Sequence, residues 1–246
     1  MRDFVENDET ADVLCNEQLT IIQKKRGYRF SIDAILLASF VRVRKHERLL
    51  DIGSGCGIIP IYMAKKGYMN DMTGIELQKT LFDTAQKNRV INHCEDHVRF
   101  INADIADVLE DMKKDPFQVI VANPPYTKRH SGRICPEESR LLARYEEKLD
   151  IESLTAAVSK LLSKKGRFYT IYPARRLAEL VIAAQSKKLA LKKLRVVYPR
   201  QAEEANLILA EFLKEGGPGV AIEKPLYVYS GSTLSDEVKK YYSFED

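Results

Sequence analysis

Residues 49–60 read LLDIGSGCGIIP, and this stretch decides the fold. A short apolar run ends in Asp51, passes through Gly53, Gly55 and Gly57, and returns to apolar sequence. The pattern predicts a strand, a glycine turn and a helix, which together open a βαβ unit. Because glycine has no Cβ, the turn is tight and a ligand can approach its backbone closely. The N-terminus of the following helix would offer free N–H groups to that ligand.

The spacing of the glycines excludes two nucleotide-binding motifs. A dinucleotide fingerprint would need its third glycine at Ile58 or Pro60, and the phosphate-binding G-x-x-x-x-G-K-[ST] is also missing. What remains is D-x-G-x-G-x-G, which resembles motif I of the class I S-adenosylmethionine methyltransferases. The resemblance implies S-adenosylmethionine as cofactor. For this stretch taken alone, a sharp structural turn without a ligand is the alternative.

Beyond residue 47, short apolar runs alternate with segments of helical periodicity. This alternation predicts an α/β fold, a mostly parallel sheet with helices on both faces and right-handed crossovers. Seven strands are predicted, and the last two lack a helix between them, so we expect an antiparallel hairpin at one edge. The resemblance implies that this is the Rossmann-like class I methyltransferase fold. We expect residues 47–246 to form the methyltransferase domain and residues 1–46 to pack on it.

Three pieces are predicted before the sheet. Residues 1–17 are acidic and polar and are expected to form a loosely held leader. The segment Leu19–Ser31 predicts a β-hairpin whose turn is Lys25–Gly27. Ser31 can then cap a helix, with Asp33 in its first turn, where a carboxylate suits the helix dipole.

Composition limits the class of protein. The chain has 246 residues and is 45% hydrophobic, which suffices for one large α/β domain. It has no apolar run of membrane-spanning length and opens with no signal peptide. The four cysteines form no C-x-x-C pair and the four histidines show no ligand spacing, so we expect neither a metal site nor a disulfide framework. This cysteine usage indicates a reducing cytoplasm.

The net charge of +4 conceals clusters of basic residues. They lie at residues 24–29, 42–48, 128–133 and 187–200. One such cluster is ordinarily a solvated surface, but several together favour a polyanionic partner.

Polar residues follow four of the predicted strands. They are Asp51, Glu76, Asp104 and Asn123, in the order of the strands. Ligands of open parallel sheets bind beyond the carboxyl ends of the strands, where these residues would meet. Glu76 could accept hydrogen bonds from both hydroxyls of a ribose, and Asp104 from an adenine amino group. Each acidic residue alone is as readily a helix cap; together they predict a ligand site.

The fourth strand leads into Asn123-Pro124-Pro125-Tyr126. Two prolines predict a stiff loop but do not explain the flanking asparagine and tyrosine. An amine on an aromatic base, or an amide nitrogen, is a poor nucleophile whose N–H groups could donate to the Asn123 side chain and the Pro124 carbonyl. Acceptors held rigidly there would stabilise positive charge developing on nitrogen, and Tyr126 would stack on the planar substrate. We therefore predict that all four residues are catalytic.

DIGSGCG together with NPPY resembles the amino-group methyltransferases of the class I fold. QKKRGYRFSIDAILLASF, residues 23–40, and EKPLYVY, residues 223–229, extend the resemblance to the bacterial tRNA(Val) (adenine-N6)-methyltransferases. The resemblance implies methylation of the exocyclic amine of adenine in RNA, tRNA in particular. From the composition we expect neither metal nor membrane association, and we expect a monomer or weak dimer.

Carried over by motif, the resemblance implies a set of cofactor-binding residues. They are Arg29, Phe30, Asp33, Asp51, Gly53, Gly55, Gly57, Glu76, Leu77, Asp104 and Asn123. Cys56 departs from the commonest form of motif I, in which threonine or serine is frequent. Three alternatives stay open: a protein glutamine N-methyltransferase, a guanine-N2 rRNA methyltransferase, and a non-catalytic RNA-binding protein on the same fold. Enzymes of the first kind usually carry a helical domain before motif I, for which the 48 residues before Leu49 leave little room.

Overall fold

A nine-stranded sheet forms the centre of the molecule in the computed structural model, which describes residues 5–26, 29–124 and 150–244. The strands are β1 (Glu9–Leu14), β2 (Leu19–Lys24), β3 (Leu49–Ile52), β4 (Met72–Glu76), β5 (Val98–Asn102), β6 (Phe117–Ala122), β7 (Leu162–Pro173), β8 (Leu189–Tyr198), β9 (Leu207–Lys214), β10 (Ala221–Ile222), β11 (Leu226–Tyr227), β12 (Tyr229–Ser230) and β13 (Thr233–Leu234). The helices are α1 (Ile32–Phe40), α2 (Ile58–Lys65), α3 (Lys79–Ile91), α4 (Ile105–Met112), α5 (Ile151–Leu161), α6 (Leu177–Ser186) and α7 (Asp236–Tyr241), with a 3₁₀ turn at Ala174–Arg176.

The strand order of the central sheet is β10-β8-β9-β7-β6-β3-β4-β5, with β11 also paired to β8. Strand β9 runs antiparallel to β7 and β8, and the other pairings in this sheet are parallel. The predicted Rossmann-like α/β fold is therefore confirmed. The sheet has nine strands instead of the predicted seven because β10 and β11, each two residues long, extend it beside β8. The final hairpin is present, with β9 inserted between β7 and β8.

Two hydrophobic clusters cover the two faces of the sheet. One joins β2, α1, α2, α3 and α7 to the sheet, and the other joins α4, α5 and α6 to its opposite face. The inner strands β3, β4, β6 and β9 are buried almost throughout, which explains why their sequences are mainly apolar runs and not alternating ones. The helix predicted after Ser31 is confirmed as α1, and the Ser31 hydroxyl accepts a hydrogen bond from the Asp33 N–H at 3.3 Å.

The N-terminal hairpin lies earlier in the chain than predicted. Strands β1 and β2 pair antiparallel, and the turn between them runs through Cys15, Asn16 and Glu17 with φ of 54°, 52° and 65°. Left-handed backbone is ordinarily marked by glycine, and this turn has none, so it gave no signal in the sequence. Two predictions are wrong for this reason: part of the supposed loose leader is β1, and residue 25 follows β2 instead of forming the hairpin turn.

A buried carboxylate fastens this hairpin to helix α3. The Glu9 side chain on β1 is 1% exposed, and its Oε1 lies 3.1 Å from the Nζ atoms of both Lys24 on β2 and Lys87 on α3. Lys24 also pairs with Glu6 and Asp8. A buried carboxylate is tolerated when cations neutralise it, so this cluster holds β1, β2 and α3 together.

We expect Glu9→Ala to lower the free energy of unfolding by about 2 kcal/mol, because it leaves two partly buried ammonium groups without their shared carboxylate. Glu110→Ala is the matched control, since Glu110 pairs with Lys113 on an exposed surface of α4 and should cost less than about 0.5 kcal/mol. Urea denaturation followed by circular dichroism measures both. Equal losses in the two variants would contradict a structural role for the Glu9 cluster.

Candidate active site

The carboxyl ends of β3, β4, β5 and β6 meet at one edge of the sheet. Ile52 at the end of β3 lies opposite Ile75 of β4 and Ala122 of β6, and Glu76 lies opposite Asn102 of β5. The polar residues that end or directly follow these strands are therefore neighbours. This is the edge at which open α/β sheets bind their ligands.

The glycine turn after β3 needs its glycines. Gly53, Gly55 and Gly57 have φ of 74°, 57° and 82°, and Gly57 is the N-cap of α2. A Cβ on Gly57 would lie 2.4 Å from Cζ of Phe100, and one on Gly74 in β4 would lie 2.5 Å from Cδ1 of the same ring. Both left-handed backbone and close packing against Phe100 thus exclude larger residues.

Glu76 connects this turn to the end of β4. Its Oε2 accepts a hydrogen bond from the Gly55 N–H at 2.8 Å, and its Oε1 accepts one from the Gln78 N–H at 2.8 Å. Burial raises the pKa of Glu76, and the backbone N–H groups partly offset that rise. A carboxylate oxygen can accept more than one hydrogen bond, so both oxygens keep capacity for ligand hydroxyls.

Asp51 is a second buried carboxyl group in the same region. Among the described residues, neither of its oxygens has a hydrogen-bond partner, and the same is true of the buried Ser54 hydroxyl. Burial raises the pKa of Asp51 to about 8, and the negative charge of Glu76 adds to the rise. Buried polar atoms without partners are uncommon and need an explanation, which a bound ligand would supply.

These residues fit S-adenosylmethionine on chemical grounds. The cofactor has a cationic sulfonium and a cationic amino group, and two buried carboxyl groups favour a positively charged ligand. Its ribose hydroxyls need acceptors of the kind that Glu76 presents. The Cys56 thiol, by contrast, is buried with its pKa raised to about 12 by that burial, so it is a small packing group and not a reactive one.

Two further residues of the predicted cofactor set, Asp104 and Leu77, lie near the ends of β5 and β4. Asp104 follows β5 and caps α4, its Oδ1 accepting from the Ala106 N–H at 3.0 Å. Asn102, which sequence reasoning missed, donates from Nδ2 to the carbonyls of Glu76 at 2.8 Å and Leu77 at 3.0 Å. This amide fixes the end of β4 and the start of the following loop, so Leu77 is held beside Glu76.

The hairpin and α1 hold three further residues of the predicted cofactor set, Arg29, Phe30 and Asp33. The Arg29 guanidinium pairs with Asp12 at 2.9 Å and donates to the Thr10 hydroxyl and to a β2 carbonyl. The Phe30 N–H donates to the Gln23 side chain at 2.8 Å, and its ring packs against the first hydrophobic cluster. Asp33 lies in the first turn of α1. The structure thus assigns Arg29 a structural contact with β1, and a role of these three toward the cofactor stays a prediction.

Asn123 and Pro124 directly follow β6, at the edge that carries Asp51 and Glu76. Pro124 is buried and Asn123 is partly exposed. Pro125 and Tyr126 lie outside the described residues. In the described ranges, no three His, Cys, Asp or Glu side chains form a group that could hold a metal ion, and no helix is long and apolar enough to cross a membrane.

Comparison with known proteins agrees with the fold. Residues 29–150 match the family model of the methyltransferase small domain. The tRNA1(Val) (adenine(37)-N6)-methyltransferase of Porphyromonas gingivalis is 30% identical over 209 residues, which cover 82% of this chain and 80% of that protein. The enzyme of the same name from Bacteroides thetaiotaomicron is 28% identical over 81% of this chain and 84% of its own length.

Solved structures share the fold at lower identity. A predicted O-methyltransferase from Agrobacterium tumefaciens superposes with a TM-score of 0.67 at 20% identity, covering 86% of this chain and 96% of that one. TYW2 of M. jannaschii in complex with AdoMet superposes with a TM-score of 0.58 at 16% identity, covering 85% of this chain and 88% of that one. With the glycine turn, the strand-end carboxylates and these relatives together, the chain belongs to the S-adenosylmethionine-dependent methyltransferases of class I, in the family of the tRNA1(Val) (adenine(37)-N6)-methyltransferases.

Proposed function

We propose that this chain transfers the methyl group of S-adenosylmethionine to the N6 amine of an adenine in tRNA. The relatives that cover four fifths of the chain carry that activity in their names. The observation that carries the proposal is the position of Asn123 and Pro124, which follow β6 beside the end of β3 and its glycine turn. That position puts acceptors for an amine next to the groups that fit the cofactor.

In this proposal each part of the edge has one task. Glu76 accepts hydrogen bonds from the ribose hydroxyls, and Asp104 lies toward the adenine of the cofactor. The glycine turn and Asp51 border the rest of the cofactor. The bound cofactor supplies an electrophilic methyl group. Asn123 and Pro124 hold the substrate amine by its N–H groups and stabilise the positive charge that develops on nitrogen, and Tyr126 stacks on the base. Because the methyl group is already activated, orientation of the amine is the main requirement.

Basic residues at the same edge support a nucleic-acid substrate. The 3₁₀ turn after β7 contains Arg175, which is exposed, and Arg176, whose guanidinium lies 5.0 Å from the centre of the Tyr172 ring. Arg200 follows β8 and lies 5.1 Å from the centre of the Tyr229 ring. Arginine and aromatic side chains together suit phosphates and bases. We place the enzyme in the cytoplasm as a monomer or weak dimer, where its buried free thiols would stay reduced.

The most direct test treats unmodified tRNA with the enzyme and labelled S-adenosylmethionine, and identifies the product by mass analysis of nucleosides. We expect labelled N6-methyladenosine. Asn123→Ala should lower kcat by a factor of about 10²–10³ with little change in cofactor affinity, since it removes a preorganised acceptor that acts on the transition state. Labelled guanosine, or labelled glutamine in a protein, would contradict the substrate assignment, and a normal kcat in Asn123→Ala would contradict the mechanism.

Asp51 should make the free enzyme less stable as the pH rises. Its pKa is raised in the folded protein from 3.8 to about 8, so between these values the folded state holds a proton that the unfolded chain releases. Stability contributed by that proton is present at low pH and is lost as the pH rises through this window.

Asp51→Asn, which cannot ionise, should remove that part of the pH dependence. At pH 8 and without cofactor we expect its free energy of unfolding to exceed that of the native protein by at least about 1 kcal/mol, and at pH 4, close to the unfolded pKa, we expect the two proteins to differ little. Its affinity for S-adenosylmethionine should fall. Urea denaturation at the two pH values and calorimetry measure these effects, and an unchanged pH dependence would mean that Asp51 does not titrate in this window.

Binding of tRNA should weaken linearly on a plot of log affinity against log salt. Arg175→Ala should make this slope less steep by about the amount expected for the loss of one phosphate contact, because Arg175 lies at the carboxyl end of β7, beside the site. Lys164→Ala is a matched control because Lys164 is an exposed cation near the opposite end of the same strand. Filter binding over a series of salt concentrations measures these slopes. Equal slopes for Arg175→Ala and the native protein would show that this edge does not contact the RNA.

A further inference from the structure

Helix α3 contacts the outer edge of β2 through two buried asparagines. Asn88 Oδ1 accepts from the Ile22 N–H at 2.7 Å, and its Nδ2 donates to the Ile22 carbonyl at 3.0 Å. One helical turn later, Asn92 Oδ1 accepts from the Thr20 N–H at 3.0 Å, and its Nδ2 donates to the Thr20 carbonyl at 2.7 Å. Each side-chain amide therefore makes the two hydrogen bonds that a residue of a neighbouring strand would make. The outward N–H and carbonyl groups of Thr20 and Ile22 in β2 are satisfied in this way.

The two asparagines differ in one contact. Nδ2 of Asn88 also donates to the carbonyl of Cys56, inside the glycine turn, at 2.9 Å. The second donor contact of Asn92 goes to the carbonyl of Asn88, within α3, at 2.7 Å. Asn88 is fully buried, so both hydrogens of its amide are used and water cannot replace them.

The Cys56 carbonyl belongs to the peptide unit that enters Gly57. The N–H of the same unit donates to the Ser54 carbonyl at 2.9 Å, so Asn88 and Ser54 fix the unit from both sides. Glycine adopts positive and negative φ about equally well, and a peptide unit next to Gly57 could therefore rotate at little steric cost. Without the Asn88 contact, the bond to the Ser54 carbonyl would be the one hydrogen bond left to this peptide unit within the part of the chain that the structure describes.

We propose that Asn88 is a positioning residue for the cofactor: its amide fixes the orientation of the Cys56–Gly57 peptide unit and thereby keeps the glycine turn in its binding conformation. The inference rests on the proposed cofactor site. A turn ordered before binding loses less conformational freedom when the ligand arrives, so this contact raises affinity without touching the ligand.

Asn88→Ala and Asn92→Ala separate this role from simple attachment of the hairpin. Both variants lose a two-point contact with β2 and should be destabilised, but only Asn88→Ala loses the contact with the turn. We expect Asn88→Ala to bind S-adenosylhomocysteine about tenfold more weakly, the equivalent of one hydrogen bond, and Asn92→Ala to bind it like the native protein. In kinetics the loss should appear in KM for S-adenosylmethionine, with kcat at saturating cofactor little changed.

Hydrogen exchange of the free protein supplies a readout that does not depend on catalysis. Amides of residues 53–57 should exchange faster in Asn88→Ala than in Asn92→Ala, while both variants exchange faster in β2. If Asn88→Ala is too unstable for calorimetry, the increase in unfolding midpoint at several ligand concentrations gives its affinity from the same linkage relation.

The outcomes distinguish this inference from the proposed site. Native protein that fails to bind S-adenosylhomocysteine would contradict the cofactor assignment itself. Native protein that binds, with equal affinities in the two variants and equal exchange at residues 53–57, would overturn the positioning role of Asn88 and leave it as an attachment point for the hairpin.

Discussion

The hydrogen bond from the Gly55 N–H to the buried carboxylate of Glu76 joins the glycine turn after β3 to the end of β4, beside the bonds that the Gly53 and Ser54 N–H groups donate to the Ile75 carbonyl. It fixes the glycine turn after β3 against the end of β4, at 2.8 Å. Asn102 holds the backbone of Glu76 from the side of β5, so three neighbouring strand ends share one hydrogen-bonded network. Everything proposed for the cofactor depends on this network, because it sets the distance between the turn and the carboxylate.

The same arrangement has a cost in stability. Burial disfavours ionisation of both Asp51 and Glu76, and the negative charge of Glu76 further disfavours ionisation of Asp51. A fold selected only for stability would have no reason to keep Asp51, whose oxygens find no partner among the described residues. A ligand with positive charge reverses the balance, since it neutralises the pair and satisfies the oxygens. The instability of the free site is therefore an argument for its function.

Local sequence signals predicted the parts of this fold that depend on local chemistry. The glycine turn was visible because only glycine fits its φ values, and α1 was visible from its Ser31 cap. The hairpin turn was missed since Cys15 and Glu17 take left-handed backbone that their residue types rarely adopt. Its energy is supplied by distant contacts, such as Glu9 with Lys87, which no sequence window contains. Asn88 and Asn92 were missed for a related reason, although their four-residue spacing on the buried side of α3 was a signal.

The partners of α3 explain why a hairpin outside the central sheet belongs to the catalytic unit. The helix pairs with β2 through the buried Asn88 and Asn92 and with β1 through Lys87, while its first residue follows the buried carboxylate of Glu76 by only two intervening positions. One rigid helix thus contacts the hairpin and borders the cofactor site. In the positioning role proposed for Asn88, one buried amide connects the hairpin to the glycine turn, because its Nδ2 donates to the carbonyls of both Cys56 and Ile22 in β2. The attachment of the hairpin and the conformation of the turn are then coupled, and by linkage the coupling acts equally in both directions.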